Sequence, residues 1–527
     1  MIAFQKPLRY VFERVEALFD RIFGPRWNPF SCLGALGWFY FWIVCASGVY
    51  LFIFYDTGIH EAYRSVEFIS REQWYHAGVM RSLHRYASDA MVVMVVVHML
   101  REFAYDRYRG ARWYSWVTGI PMLWLLFAAG ITGYWMVWDR LAQYIAIATT
   151  EWLDALPLFG EPIARNFAAP GQLSDRFFTL MIFMHIAVPL VLLFIMWFHL
   201  QRVNYAKVNP ARGLAIGTGL MLLVLSLAVP AASHDPADLA KVPTPVNLDW
   251  FFLWVFPLIE KFSPMSAWGI LVGGSFLLMA FPWLPPEKKL PVAIVNLEYC
   301  NGCRRCATDC PFAAIRMGPR SDSRPFAEEP VVDPSLCVGC GICAGACPTA
   351  MPFRRAGALI AGIEIPHLTI ADLRAQVEAA TGVFRDGPRI LVFGCDHGAD
   401  MASLAGLGAA AVSLPCTGML PPPFIDFALS RGLADGVVLT GCRDGHCQAR
   451  LGVRWTEERI DGQRDPALRA RVPRQRLARV WASPSDMPRL RAELSAFATR
   501  LESLDTRPAG APEGSDKRRA AGAGGHP

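Results

Sequence analysis

Four histidines in two apolar stretches carry the first chemical signal: His84 and His98 are fourteen residues apart, and so are His185 and His199. Fourteen residues is nearly four helical turns, so the members of each pair share one helix face about 21 Å apart along the axis. Two such helices side by side would set His84 against His185 and His98 against His199. That geometry clamps two haems, one above the other, with imidazole as axial ligand. A lone intramembrane histidine could equally be a hydrogen-bonded packing residue. Four at matched spacing disfavour that reading, because polar groups in hydrocarbon are expensive and usually functional.

The second signal is cysteine. Cys300, Cys303, Cys306 and Cys310, followed by Pro311, spell C-x2-C-x2-C-x3-C-P, and Cys337, Cys340, Cys343 and Cys347, followed by Pro348, spell it again. In this two-cluster bacterial ferredoxin pattern the fourth cysteine of each run ligates the other cluster. One [4Fe-4S] cluster is therefore expected on Cys300, Cys303, Cys306 and Cys347, and a second on Cys310, Cys337, Cys340 and Cys343. Disulfides do not suit a reducing cytoplasm, and paired zinc sites would not require these third and fourth cysteines or the prolines. Further on, three apolar strand-like runs end in Cys395, Cys416 and Cys442, and Cys447 follows as C-x4-C. Open α/β sheets gather ligands at the carboxyl ends of their strands, so these four thiols read as one more metal site, with structural zinc as the alternative. His397 and His446 lie nearby and are expected to be hydrogen-bonding or surface residues.

The elements that must position these ligands fall into two halves. Hydrophobic residues make up 53% of the 527 and charged residues 18%, but long apolar runs dominate residues 31 to 284 and the remainder resembles an ordinary cytoplasmic protein. Six spans approach the roughly twenty residues that a bilayer needs: 32–54, 79–100, 114–137, 177–200, 213–231 and 266–284. Basic residues collect before the first span, between the second and third (Arg101, Arg107, Arg109, Arg112) and between the fourth and fifth (Arg202, Lys207, Arg212), whereas the alternate loops are acidic. By the positive-inside rule both termini and the cysteine-rich half face the cytoplasm, across the inner membrane. Leu8, Val11, Val15, Leu18 and Ile22 repeat at helical spacing among charges, which predicts an amphipathic helix lying in the membrane surface over residues 1–30. The fold class expected is multi-domain: an all-α four-helix haem bundle (31–205), two further transmembrane helices (206–290), an α+β ferredoxin domain (291–355), an α/β iron-sulfur domain (385–505) and a disordered tail (506–527). The net charge of +6 is scattered, with no basic stripe interleaved with aromatics, so no nucleic-acid partner is expected.

Residues 27 to 205 resemble the N-terminal four-helix half of cytochrome b/b6, the quinol-oxidising cytochrome of bc-type complexes. The matching text is NPFSCLG (28–34), RSLHRY (81–86), HMLR (98–101), WVTG (116–119) and GITGYWMVWD (130–139), with the two histidines of the fourth span. Gly34 and Gly48, and Gly119 and Gly133, repeat the fourteen-residue interval, as expected where a flat group presses against a helix; ordinary small-residue helix packing is the alternative. The resemblance implies salt bridges from Arg81, Arg85 and Arg101 to haem propionates, with snorkelling to the interface as their other role. It also implies, through the b6 branch, a covalent haem c on Cys32. The conventional C-x-x-C-H attachment motif is absent and the fourteen-residue interval of the fourth span is that of the other branch, so a small buried thiol stands beside that reading, as it does for Cys45. Residues 242–262 resemble the loop that lines the outer quinol site, with Asp249 where a glutamate is usual and the preceding proline lost. Asp249 is thus a candidate acceptor of a quinol proton, or a solvated loop acid.

The phrases GCDHGAD, LPCTGML and GCRDGHC resemble the delta subunit of methyl-viologen-reducing hydrogenase, a [2Fe-2S] protein that docks on the flavoprotein of heterodisulfide reductase. That family usually has a further cysteine where Val392 stands, so Cys395, Cys416, Cys442 and Cys447 are implied as the whole ligand set. Gly406, Gly408 and Ala411 imitate a dinucleotide fingerprint but precede a strand, so the phosphate-binding helix start is missing. Together these parts imply a relay between a heterodisulfide reductase-like flavoprotein or another cytoplasmic electron-transfer subunit and membrane quinone, through one [2Fe-2S] cluster, two [4Fe-4S] clusters and two b haems. A homodimer is an admissible assembly. The rival is a non-catalytic membrane anchor and electron conduit for a hydrogenase or heterodisulfide reductase-like complex. A redox sensor is the weakest reading, because the chain shows no output domain.

Overall fold

The computed structural model describes residues 4–504 apart from 159, 168–172, 202–204, 244, 286–290, 354–358, 383, 385–386 and 444. Arg202 and the tail expected over 506–527 lie outside the described residues. The chain divides into two compact units, Met1–Leu290 with Pro311–Ala313, and Pro291–Cys310 with Ala314–Pro527.

The first unit is helical: α1 (Gln5–Phe23), α2 (Leu33–Phe52), α3 (Glu61–Glu67), α4 (Val79–Ala104), α5 (Trp113–Val137), α6 (Arg140–Asp154), α7 (Asp175–Leu200), α8 (Arg212–Ala228), α9 (Val255–Phe262) and α10 (Pro264–Ala280). Helix α2 packs along α4, and α5 along α7. Four segments, Pro29–Phe52, Gly110–Val137, Asp175–Leu200 and Pro264–Trp283, are long and apolar enough to cross a bilayer. At 26 residues α4 has the length, but Arg81, His84, Arg85, Asp89, His98 and Arg101 dilute its apolar character. Helix α8 has 17 residues, about 25 Å of rise against a hydrocarbon core of about 30 Å. The expected fifth span is cut short because residues preceding Pro230 leave the helical region. On α7 the side chains of Phe183, Leu190 and Phe194 are more than half exposed, a surface that water would penalise and lipid would not.

Helix α1 has the amphipathic character expected, with its polar side inward. Gln5, Glu13 and Glu16 are buried while Val11, Leu18 and Ile22 are exposed. The reason is a buried ion pair: Arg101 Nε donates to Glu16 Oε1 at 2.7 Å, and Tyr105 Oη donates to Glu16 Oε2 at 2.9 Å. Removing one partner of such a pair typically costs about 3–5 kcal/mol, far more than an exposed pair, so this contact fixes α1 against the end of α4.

In the second unit, β1 (Ile294–Val295) pairs antiparallel with β4 (Ile363–Glu364), and β2 (Ile315–Pro319) with β3 (Glu328–Val332). Between them lie the one-turn helices α11 (Arg305–Thr308) and α12 (Ile342–Ala346). After α13 (Ile370–Thr381), which starts with a Thr369–Asp372 capping box, the three expected strands and a fourth form a parallel sheet. Strands β5 (Ile390–Cys395), β6 (Ala409–Leu414), β7 (Gly436–Gly441) and β8 (Leu477–Trp481) lie in the order β6-β5-β7-β8. Strands β5 and β7 are buried throughout, as a parallel sheet covered on both faces requires. Helices α14 (Pro423–Ser430), α15 (Gly452–Ile460) and α16 (Met487–Ser503) complete the unit. Leu490, Leu494, Phe497 and Leu501 of α16, at helical spacing, fill the core beside Val392 and Val438.

Candidate functional site

The four histidines lie on the helices expected, His84 and His98 on α4 and His185 and His199 on α7. The rings of His84 and His185 face one another with centroids 6.2 Å apart, a separation that admits one metal atom bonded at about 2.0–2.1 Å to a nitrogen of each ring. His98 and His199 are electrostatic neighbours one level away. The imidazoles are oriented from behind. His84 Nδ1 donates to the Val44 carbonyl at 3.0 Å with Ser47 Oγ at 3.1 Å, His185 Nδ1 lies 3.2 Å from Thr132 Oγ1, and His199 Nδ1 lies 3.2 Å from Thr118 Oγ1. Engaging Nδ1 in this way would leave Nε2 to face a metal, the usual arrangement for a metal-bound histidine.

The glycines lie against the histidine rings. A Cβ added at Gly48 or Gly133 would fall 3.0 Å from Cε1 of His84 or His185, and one at Gly34 or Gly119 would fall 3.6 or 3.5 Å from Cε1 of His98 or His199. Each glycine therefore gives the imidazole of the paired helix room to lie against backbone. The hydroxyls that set ring orientation escaped the sequence reading, although a signal existed: Ser47, Thr118 and Thr132 each directly precede one of these glycines.

The three arginines are placed differently. Arg101 is buried against Glu16, yet its Nη2 has no hydrogen-bond partner among the described residues, so a donor suited to a propionate is left over. Arg81 donates to Ser70 and Ser233. Arg85 donates to Asp249 Oδ2 at 2.8 Å, lies 3.3 Å from Asp89 and stacks over the Tyr134 ring. The other oxygen of Asp249 accepts from the Phe252 N–H at 2.8 Å, so the loop acid is held instead of loosely solvated. Much of the loop around it is structured, since α9 takes up Val255–Phe262. Cys32 caps the end of α2 two residues from Gly34, at the His98 level; Cys32 and Cys45 are both half-buried.

In the second unit Cys300, Cys303, Cys306 and Cys347 line one pocket with Met317, Pro330 and Ile363. Cys343 has Cys340, Cys337 and Cys310 among its electrostatic neighbours. Cys306 of the first group is also a neighbour of Cys343, so the two groups of four lie close together. Cys395, Cys416, Cys442 and Cys447 are all buried in a single cluster with Ile342 and Trp455, and Cys395 Sγ lies 3.9 Å from Cys442 Sγ. Three of them sit at or just past the carboxyl ends of β5, β6 and β7. His446 is buried near them and His397 is exposed. Among the described residues no three Cys, His, Asp or Glu side chains converge on a single-ion site. Burial pushes the Cys306 and Cys340 thiols up to about 12. At neutral pH such groups become thiolates only when a bound cation compensates the charge, so the donor set fits iron-sulfur clusters.

Three family models match consecutive segments of the chain: cytochrome b/b6/petB over residues 19–207, a 4Fe-4S dicluster domain over 299–351, and the methyl-viologen-reducing hydrogenase delta subunit over 390–505. This order of parts defines a membrane electron-transfer subunit, in which the cytochrome b segment implies haem b and the dicluster segment implies iron-sulfur clusters. Among characterised relatives, cytochrome b of Rhodospirillum rubrum is 26% identical over 294 residues, covering 50% of this chain and 71% of that protein. A solved structure described as a hyperthermophilic respiratory Complex III aligns at 21% identity with a TM-score of 0.38, covering 53% of this chain and 82% of that one.

Proposed function

We propose that the chain is the quinone-linked oxidoreductase subunit of a larger complex, carrying electrons between a cytoplasmic flavoprotein or similar partner and membrane quinone. The observation that carries this reading is the facing pair His84 and His185, 6.2 Å apart and oriented through Nδ1. His84 with His185 and His98 with His199 would hold two b haems; Cys300, Cys303, Cys306 and Cys347, and Cys310, Cys337, Cys340 and Cys343, two [4Fe-4S] clusters; and Cys395, Cys416, Cys442 and Cys447 a [2Fe-2S] cluster. When bound, these groups supply one-electron chemistry that side chains cannot, while the protein fixes their order and insulates them. Six membrane spans, α4 and α8 included, with both termini and the cysteine-rich half cytoplasmic, complete the reading.

The conduit reading is favoured by one observation: both oxygens of Asp249 already accept hydrogen bonds, so taking a quinol proton there would displace Arg85. One experiment separates the two. A quinone-analogue inhibitor added to the purified protein is expected to shift the haem spectrum, and Asp249→Asn is expected to slow quinol-dependent haem reduction at unchanged haem content. A spectrum indifferent to the inhibitor, together with unaltered kinetics in the variant, would leave the conduit.

A further inference from the structure

The two cysteine-rich domains of the second unit meet backbone to backbone. A Cβ on Gly345, in α12, would strike the Gly418 carbonyl oxygen; one on Gly418 would fall 2.9 Å from Ile342 Cγ1 and 3.1 Å from Gly452 Cα; one on Gly341 would fall 2.7 Å from Met419 Cγ. Gly418 and Met419 form the turn that follows Cys416, and a Cβ on Gly452 would meet Cys416 Sγ and lie 3.4 Å from Cys447 Sγ. Cys340 itself packs against the cluster formed by Cys395, Cys416, Cys442 and Cys447. At Gly345 the nearest facing atom is backbone, so a side chain there would force the domains apart, and this close approach brings one thiol set of the ferredoxin domain against the thiols of the α/β domain. The other set, Cys300, Cys303, Cys306 and Cys347, opens on a pocket lined wholly by residues 300–363, and Cys303 is exposed.

A buried charge pair spans the same junction. Arg459 of α15, 1% exposed, donates through Nη1 to the Gly418 carbonyl at 2.7 Å and through Nη2 to Asp309 Oδ2 at 2.5 Å. Arg464 donates to Asp309 Oδ1 at 2.6 Å. Asp309 directly precedes Cys310, and Gly418 follows Cys416 by two residues. Such a pair is weak evidence for stability, since desolvation consumes most of its attraction, but it fixes a single relative placement of the groups it joins.

We propose that this junction, α12 seated on the Thr417–Met419 turn and held by Arg459 and Asp309, is the electron-transfer contact between the two iron-sulfur domains. The Cys395/Cys416/Cys442/Cys447 site then exchanges electrons with the Cys310/Cys337/Cys340/Cys343 site, and the Cys300/Cys303/Cys306/Cys347 site stands at the far end of the sequence. In each transfer one electron leaves one site and reaches the other, with no proton moved and no bond made or broken. Arg459 is a positioning residue. This inference rests on the cluster assignments of the proposed function but is independent of quinone and of any partner.

The test uses the full chain, reduced, with the relaxation and broadening of the [2Fe-2S] spin signal as readout. In Cys303→Ala the broadening by a neighbouring cluster is expected to persist; in Cys337→Ala it is expected to be lost. The reverse pattern would overturn the order. Should Cys337→Ala lose the [2Fe-2S] signal altogether, Cys303→Ala decides alone, since broadening lost there contradicts the proposal and broadening kept supports it. Arg459→Gln is expected to weaken the interaction at full iron content; an unaltered interaction would remove Arg459 from the account. A wild-type chain without any [2Fe-2S] signal would overturn the cluster assignment and this order together, whereas a signal coupled to the wrong site overturns only the order.

Discussion

Replacing His98 with alanine is expected to halve the haem content, leaving one b haem per chain against the two expected of the wild type. The ligand is lost outright, and a single remaining imidazole, His199, cannot hold a macrocycle between two helices on its own. The same result is expected at the other level for His84→Ala. Gly48→Leu should reproduce the His84 defect without touching a ligand, because even the first carbon of a side chain at Gly48 would stand 3.0 Å from His84 Cε1. Pyridine haemochrome quantitation of each purified variant checks this. Full haem content in His98→Ala would mean that the histidines pack helices and bind nothing.

The second large effect concerns iron and acid-labile sulfide. Two [4Fe-4S] clusters and one [2Fe-2S] cluster require about ten of each per chain, after haem iron is subtracted. Cys343→Ser is expected to lower both to about six, and Cys442→Ser to about eight, while the haem spectrum is unchanged. The reasoning is that Cys442 is buried with Cys395, Cys416 and Cys447, its sulfur 3.9 Å from that of Cys395, and that burial holds thiols such as Cys340 near 12 unless iron compensates. Stoichiometric zinc in the wild type, with sulfide near eight, would assign the Cys442 site to a structural ion instead.

What the sequence made legible was whatever a cofactor forces into fixed local spacing. The fourteen-residue intervals, the two C-x2-C-x2-C-x3-C-P runs and the strands that end in Cys395, Cys416 and Cys442 are all short-range patterns, and the four-stranded parallel sheet follows from the last of them. The partners that tune these sites are separated along the chain and left no pattern. Glu16 meets Arg101 across 85 positions, Asp249 meets Arg85 across 164, and Asp309 meets Arg459 across 150. Helices α6 and α9 were missed as well. Both are amphipathic segments lying between the apolar runs, where a search for unbroken hydrophobic stretches does not find them. Helix α4 shows the opposite tension: its polar residues, His84, Arg85, Asp89 and His98 among them, are the ones that weaken its apolar signal.

The central claim is that electrons cross this chain between its iron-sulfur half and membrane quinone by way of the two haems. It is tested most directly by supplying a low-potential electron donor to the purified protein and following the b-haem absorbance, then adding a quinone analogue. The account predicts that the haems of the wild type become reduced and are reoxidised by the quinone, and that Cys343→Ser, with its haems intact, reduces them far more slowly. Haems that stay oxidised while the clusters are reduced, or that reduce equally fast in Cys343→Ser, would contradict it.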